Sequence, residues 1–138
     1  LKKLLIILIL IIFPKILFAN TEYFKDGLNL YKNKKFDEAK FKFEQDIVFN
    51  PKNELSYLYL SKIFKSLDKK DLEEQNLNTV ILLNPKNEEA ILNLAFLKIR
   101  KSNYEETKKL IKNFKDVCKK LCKKQSYLQN KLDSVLKK

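Results

Sequence analysis

From residue 20 onward the apolar side chains of this chain recur at intervals of three and four, and no stretch alternates apolar with polar residues as a half-buried strand would. That pattern predicts an all-α protein. Spacing and turn chemistry together predict helices over about 21–33, 37–49, 54–67, 71–83, 88–101 and 105–117. Past residue 104 the series Leu110, Phe114, Val117, Leu121, Leu128, Leu132, Val135 keeps helical spacing, with a gap around Lys123 to Gln125. It predicts a closing helix over 125–137, with Tyr127, Leu128, Leu132 and Leu136 on one stripe laid over Leu110, Phe114 and Val117. No Gly or Pro separates this helix from the one before it, so a single continuous helix is the alternative.

The turns between these helices carry a repeated phrase. Asn50-Pro51-Lys52-Asn53 recurs as Asn84-Pro85-Lys86-Asn87, with the two prolines 34 residues apart. A helical pair of about that length cannot bury its apolar face alone, so neighbouring pairs must stack to form a core. Asn53 and Asn87 stand where an asparagine side chain accepts from free amides at a helix start, and Glu54, Glu88 and Glu89 follow at the favourable end of the helix dipole. The phrase therefore reads as a turn plus a cap, a structural device that binds nothing.

A proline closing a 34-residue helix-turn-helix unit resembles the tetratricopeptide repeat. In the first unit the family's large, small and aromatic positions fall on Tyr23, Gly27, Leu30, Phe36, Ala39 and Phe43. The second keeps Tyr57, Leu60, Ser61, Phe64, Leu77, Val80 and Pro85, but has Lys70 and Glu73 where the family prefers an aromatic and an alanine. The third keeps Ile91, Leu94, Ala95, Tyr104, Ile111 and Phe114, with Lys98 at an aromatic position and Lys119 in place of the closing proline. The resemblance implies a right-handed α-solenoid of about three units, 20–53, 54–87 and 88–121 within a repeat region 20–124, closed by a capping helix over 125–138.

In that family the first helices of successive units line a concave groove that holds extended or helical peptides. The resemblance places Phe24, Leu28, Tyr31, Leu55, Leu58, Lys62, Lys65, Leu92, Phe96 and Ile99 near this surface, with about half of them expected to serve inter-repeat packing instead. Phe24 and Leu28 stand where members that grip a C-terminal carboxylate carry Lys and Asn, so recognition of that kind is not expected.

Lys2 and Lys3 precede ten uninterrupted apolar residues, Leu4 to Phe13, and Leu17-Phe18-Ala19 ends the segment before Asn20. A basic start, a short apolar stretch and a small residue at the cut predict a cleaved signal peptide over 1–19. The alternative is an anchor in the inner membrane formed by residues 4–19. Ten helical residues rise only about 15 Å against a hydrocarbon core of about 30 Å, and extending the stretch would include Pro14 and Lys15. The expectation is an exported bacterial protein of the periplasm or cell envelope.

Composition narrows the chemistry. With no His and a single Arg, the chain lacks the usual general base and bidentate anion clamp, and Gly27 is too isolated for a phosphate loop. Adjacent acidic pairs such as Glu73-Glu74 and Glu88-Glu89 point to different sides of a helix and read as solvated charges. No catalytic site, metal site or cofactor is expected. Cys118 and Cys122 are two ligands short of a closed metal site. A disulfide is permitted in an exported protein, but one turn apart on a regular helix the pair suits that bond poorly unless the chain bends. The third reading is two small apolar residues packed under the closing helix.

Charge is uneven. The chain carries +12 overall; residues 105–138 hold 11 basic and 4 acidic side chains, against 15 and 13 in 20–104. A basic end of this kind suits anionic lipid, acidic glycan or an acidic protein. The same lysine excess also fits an A/T-rich genome, with solubility as its only consequence. Nucleic acid is not an expected partner, since no basic groove interleaved with aromatics is present. The expected role is a non-enzymatic adaptor or assembly helper that binds an envelope protein or peptide. The alternative is a peripheral binder that makes membrane or glycan contact through its basic C-terminal end.

Overall fold

The computed structural model describes residues 20–137. The signal or anchor segment over 1–19 lies outside the described residues. Among the described residues seven α-helices form: α1 (Asn20–Lys32), α2 (Phe36–Phe49), α3 (Glu54–Ser66), α4 (Lys70–Leu83), α5 (Glu88–Arg100), α6 (Tyr104–Val117) and α7 (Gln125–Leu136), with a short 3-10 turn at Cys122–Lys124. The described residues contain no strand. The chain divides into two compact units, one through Ser56 and one from Tyr57.

The 34-residue period is visible in the backbone as well as in the sequence. Lys34, Asp68 and Ser102, each 34 apart, all take positive φ, at 60°, 51° and 56°. Each ends the first helix of its pair with the same two bonds. Lys35, Lys69 and Asn103 donate N–H to the carbonyls of Leu30, Phe64 and Lys98 at 3.0, 2.9 and 2.9 Å, while the left-handed residue donates to Tyr31, Lys65 or Ile99. This is a Schellman cap, which satisfies helix carbonyls that would otherwise lack donors. None of the three positions is Gly, so the turn bears a cost of about 1 kcal/mol that the flanking helix packing holds in place. The second unit keeps the same turn despite its departures from the family pattern.

In the first compact unit, α1 packs on α2 through aromatic rings. Phe24 meets Phe43 at 5.8 Å, Tyr31 meets Phe36 at 5.4 Å, and Tyr23 stacks on Phe49 at 5.5 Å. The helices approach closely at Gly27, where a Cβ would come within 2.8 Å of Phe43 Cε1. The closing turn is latched by Asp46, fully buried, which accepts from the Ser56 hydroxyl and from Asn53 Nδ2 at 2.7 Å. Asn53 Oδ1 accepts from the Leu55 amide at 3.2 Å.

In the second unit, one apolar cluster joins Leu58, Leu77, Val80, Ala90, Leu94 and Leu97. Another joins Ile91, Leu92, Ala95, Ile99, Ile111 and Phe114 to Leu128 and Leu132 of α7. The closing helix thus covers the flank of α5 and α6, but on a stripe narrower than the expected one. Leu128 and Leu132 are buried with Val135 packed beside them, whereas Tyr127 is 63% and Leu136 48% exposed. Positions 128, 132 and 135 follow i, i+4, i+7; Tyr127 and Leu136 lie about 100° off that line. Nor does α6 run on into α7: at Cys118 the backbone turns extended, with φ −63° and ψ 141°.

Charges replace the family's aromatic and alanine positions in this unit. Glu73 is 1% and Lys98 6% exposed, so neither is a solvated surface charge. Arg100 donates to the Glu73 carboxylate, and Lys98 Nζ donates to Glu74 at 2.6 Å and approaches Glu106 at 2.7 Å. Lys101 adds bonds to Glu74 at 2.7 Å and Asp71 at 2.9 Å. Burial pulls the Lys98 ammonium pKa down, but its bonds to Glu106 and Glu74 outweigh that and raise it above the usual amine value. Lys101 and Lys98 hold the Glu74 carboxyl below the ordinary range. The two buried departures, Glu73 and Lys98, are therefore each answered by an opposite charge on a neighbouring helix.

Candidate functional site

The face offered by α3, α5 and α7 of the second unit holds a cleft of about 300 Å³. Helical spacing puts its residues together: Phe96, Ile99 and Arg100 follow at i, i+3 and i+4 on α5, and Tyr127 and Lys131 are one turn apart on α7. Lys65, from the last turn of α3, completes the lining. The Phe96 and Tyr127 rings stand 5.7 Å apart and tilted by 53°, forming an aromatic floor with Ile99 beside them. Three cations surround this floor. The Arg100 guanidinium is already bound to buried Glu73, whereas among the described residues neither Lys65 nor Lys131 has an ion pair.

Of the residues placed near the groove by resemblance, Lys65, Phe96 and Ile99 line this cleft. Lys62, one turn before Lys65, pairs with Glu89 at 2.8 Å and lies over the Tyr59 ring at 4.6 Å. Leu58 and Leu92, each 3% exposed, are core side chains, and Ile99 at 7% presents only an edge. Phe24 and Tyr31 are half-buried against α2, Leu28 is half-buried, and Leu55 is 41% exposed.

Arg100, Tyr127 and Lys131 were not among the groove candidates. Helical spacing puts Tyr127 on the capping stripe, because a helix that closes an array reads from sequence as a lid. Its start holds the missed signal. Adding the 34-residue period to Glu88 gives 122, and α7 begins at Gln125, three residues late. It occupies the place of the next first helix.

The loop that positions α7 is a second built feature. Cys118 and Cys122 are joined in a disulfide, with their Cα atoms 5.3 Å apart. The extended backbone at Cys118 supplies the bend that such a pair requires. Inside the loop, Glu88 of α5 accepts from the amides of Lys120 at 3.0 Å and Leu121 at 2.8 Å. The Leu121 amide chiefly holds the Glu88 carboxyl below its ordinary pKa. Among the described residues no group of three His, Cys, Asp or Glu side chains could hold a metal ion, and no helix is long and apolar enough to cross a membrane.

No family model matches the sequence, and no curated protein does. Solved structures do. The Arabidopsis OM64 TPR domain superposes with a TM-score of 0.75 at 20% identity, covering 84% of this chain and 95% of that domain. The fold is that of a tetratricopeptide domain. The TPR2B domain of yeast Sti1, in a complex with pHsp70, gives 0.75 at 14% identity, covering 82% of this chain and 94% of that one. The first TPR of Spaghetti (RPAP3), bound to an HSP90 peptide, gives 0.74 at 19% identity, with 84% and 91% covered. At these identities the likeness of this chain to them is one of architecture.

Proposed function

We propose that this tetratricopeptide protein is a non-enzymatic interaction module of the cell envelope, an adaptor or assembly helper that holds a partner protein by a peptide segment in its groove. One observation carries the reading. The chain leaves an aromatic, cation-rimmed cleft open on the face built by α3, α5 and α7, while Glu73 and Glu74 are taken up in ion pairs with α5. Two of the solved tetratricopeptide neighbours were captured with peptide or chaperone partners, which supports a peptide ligand here by analogy of fold. The envelope address rests on the basic start, the apolar Leu4 to Phe13 stretch and the Leu17-Phe18-Ala19 cut alone.

A crosslinking pull-down from the envelope fraction tests it. Phe96→Glu should abolish recovery of a specific partner while circular dichroism stays helical. Unchanged recovery would exclude the cleft as the docking site. N-terminal sequencing of the exported protein tests the address, with Asn20 expected as its first residue.

A second reading has its own support. Lys108, Lys112 and Lys115 are all exposed and follow i, i+4 and i+7 along one line of α6. Such a stripe suits an anionic lipid or glycan surface. Salt separates the two, since lysine contacts weaken steeply as ionic strength rises and an apolar anchor does not.

A further inference from the structure

The chemistry of the cleft defines its occupant more narrowly, an assignment that rests on the peptide-binding reading. Its floor is carbon: the Phe96 and Tyr127 rings and the edge of Ile99. Tyr127 stays 63% exposed although its neighbour Leu128 is fully buried, so the ring is held in place by α7 without being used by the core. The available charge stands at the rim, on Lys65 from α3 and Lys131 from α7. Arg100 contributes a wall whose charge Glu73 already answers.

We propose that the cleft takes an internal stretch of an acidic peptide bearing one large apolar side chain. That side chain packs on the floor formed by Phe96, Ile99 and Tyr127, and carboxylates flanking it meet Lys65 and Lys131. An apolar floor rewards a desolvated ring or branched side chain. Two cations on different helices suit two separate carboxylates better than one. A chain terminus concentrates its charge at a single point and needs donors converging there, which this floor does not supply. The disulfide and the Glu88 bonds fix the loop before α7, and so the placing of Tyr127 and Lys131 relative to α5.

The test is calorimetric titration of the exported chain at low salt with the blocked peptide acetyl-Asp-Glu-Phe-Glu-Asp-amide. Saturable one-site binding is expected. Replacing the peptide's Phe by Ala should weaken it at least about tenfold, the scale of one anchor in a desolvated pocket. Tyr127→Ala should do the same without moving the melting temperature, because that ring is mostly exposed. Lys65→Gln with Lys131→Gln should cost about tenfold, from two exposed ion pairs of a few-fold each. Equal affinity for the Ala peptide, indifference to both lysines, or binding only by a peptide with a free C-terminal carboxylate would each overturn the assignment. So would inorganic polyphosphate binding that Tyr127→Ala leaves unchanged, since the site would then read charge alone. If the blocked peptide fails to bind while Phe96→Glu still abolishes partner recovery, the groove reading stands and this assignment falls. If Phe96→Glu spares recovery, the groove reading itself falls and takes the assignment with it.

Discussion

The turn that closes the second repeat and the turn that closes the third solve one problem in different ways. At Asn84–Asn87 the solution is local. The Asn84 amide donates to Val80 at 2.8 Å, Asn84 Oδ1 accepts from Lys86 at 3.1 Å, and Asn87 Oδ1 caps α5 through Ala90 at 3.0 Å. Thirty-four residues on, the Cys118 amide donates to Phe114 at 2.9 Å in the same way, but no Asn-Pro-Lys-Asn follows. A disulfide and a carboxylate 32 residues away take its place. The first turn leads into α5, which is buried between neighbouring helices; the second leads into α7, whose fully buried side chains among the described residues are Leu128 and Leu132. A turn written in local residues is enough where packing on both sides guarantees the geometry, whereas a helix held by fewer buried side chains needs ties that reach back along the chain.

Breaking the packing behind the third turn should have the largest effect. Leu132→Ala removes a side chain that is 1% exposed and should cost about 2 to 5 kcal/mol, read as a fall in the denaturation midpoint. Breaking the covalent tie comes next. Cys118→Ser with Cys122→Ser, or reduction of the native pair, should cost about 2 kcal/mol for so short a loop. Hydrogen exchange should quicken in α7 and at the third turn, and stay unchanged at Asn84–Asn87. Uniform acceleration across both turns would show that the disulfide does not act locally.

Acid should separate the two turns by charge. Backbone N–H groups, that of Leu121 first, lower the folded pKa of Glu88 from its ordinary value of 4.5. Its contribution is therefore present above the unfolded value and is lost as the pH falls through the folded one. Below about pH 4.5 the amides of Lys120 and Leu121 should lose protection before those of the Asn84–Asn87 turn. Glu88→Gln should remove that pH dependence. The smallest effect belongs to the turns that do not differ between repeats. Ser102→Gly or Lys34→Gly relieves left-handed strain but adds chain entropy, for a net gain of about 0.5 kcal/mol. Asp68→Gly should gain less, since Asp tolerates that conformation better.

The helices were legible because their signals are local. The expected 54–67 and 71–83 correspond to Glu54–Ser66 and Lys70–Leu83, since three- and four-residue spacing and the Asn-Pro punctuation act within a few residues of the bonds they cause. The groove was legible only in part. Phe96 and Leu92 sit one helical turn apart, yet Leu92 is 3% exposed and Phe96 lines the cleft. The angle at which α7 settles decides which of the two is covered, and spacing along α5 does not encode that angle.

By itself the sequence determined a 34-residue period, an all-α class and, as far as Tyr104, the places where helices start and stop, because each depends on backbone preferences and neighbours within one or two turns. The tertiary structure decided the partners. Glu73 found Arg100 27 residues on, Glu88 found the amides of Lys120 and Leu121 across 32 and 33 residues, and Tyr127 found Phe96 across the cleft. It also decided that Cys118 and Cys122 bond, which required a helix to end at Val117 where neither Gly nor Pro ends it. A buried charge or an exposed ring has its meaning set by whatever packing brings within a few ångströms of it. In a stacked array those neighbours come from the adjoining repeat, about 30 residues away along the chain.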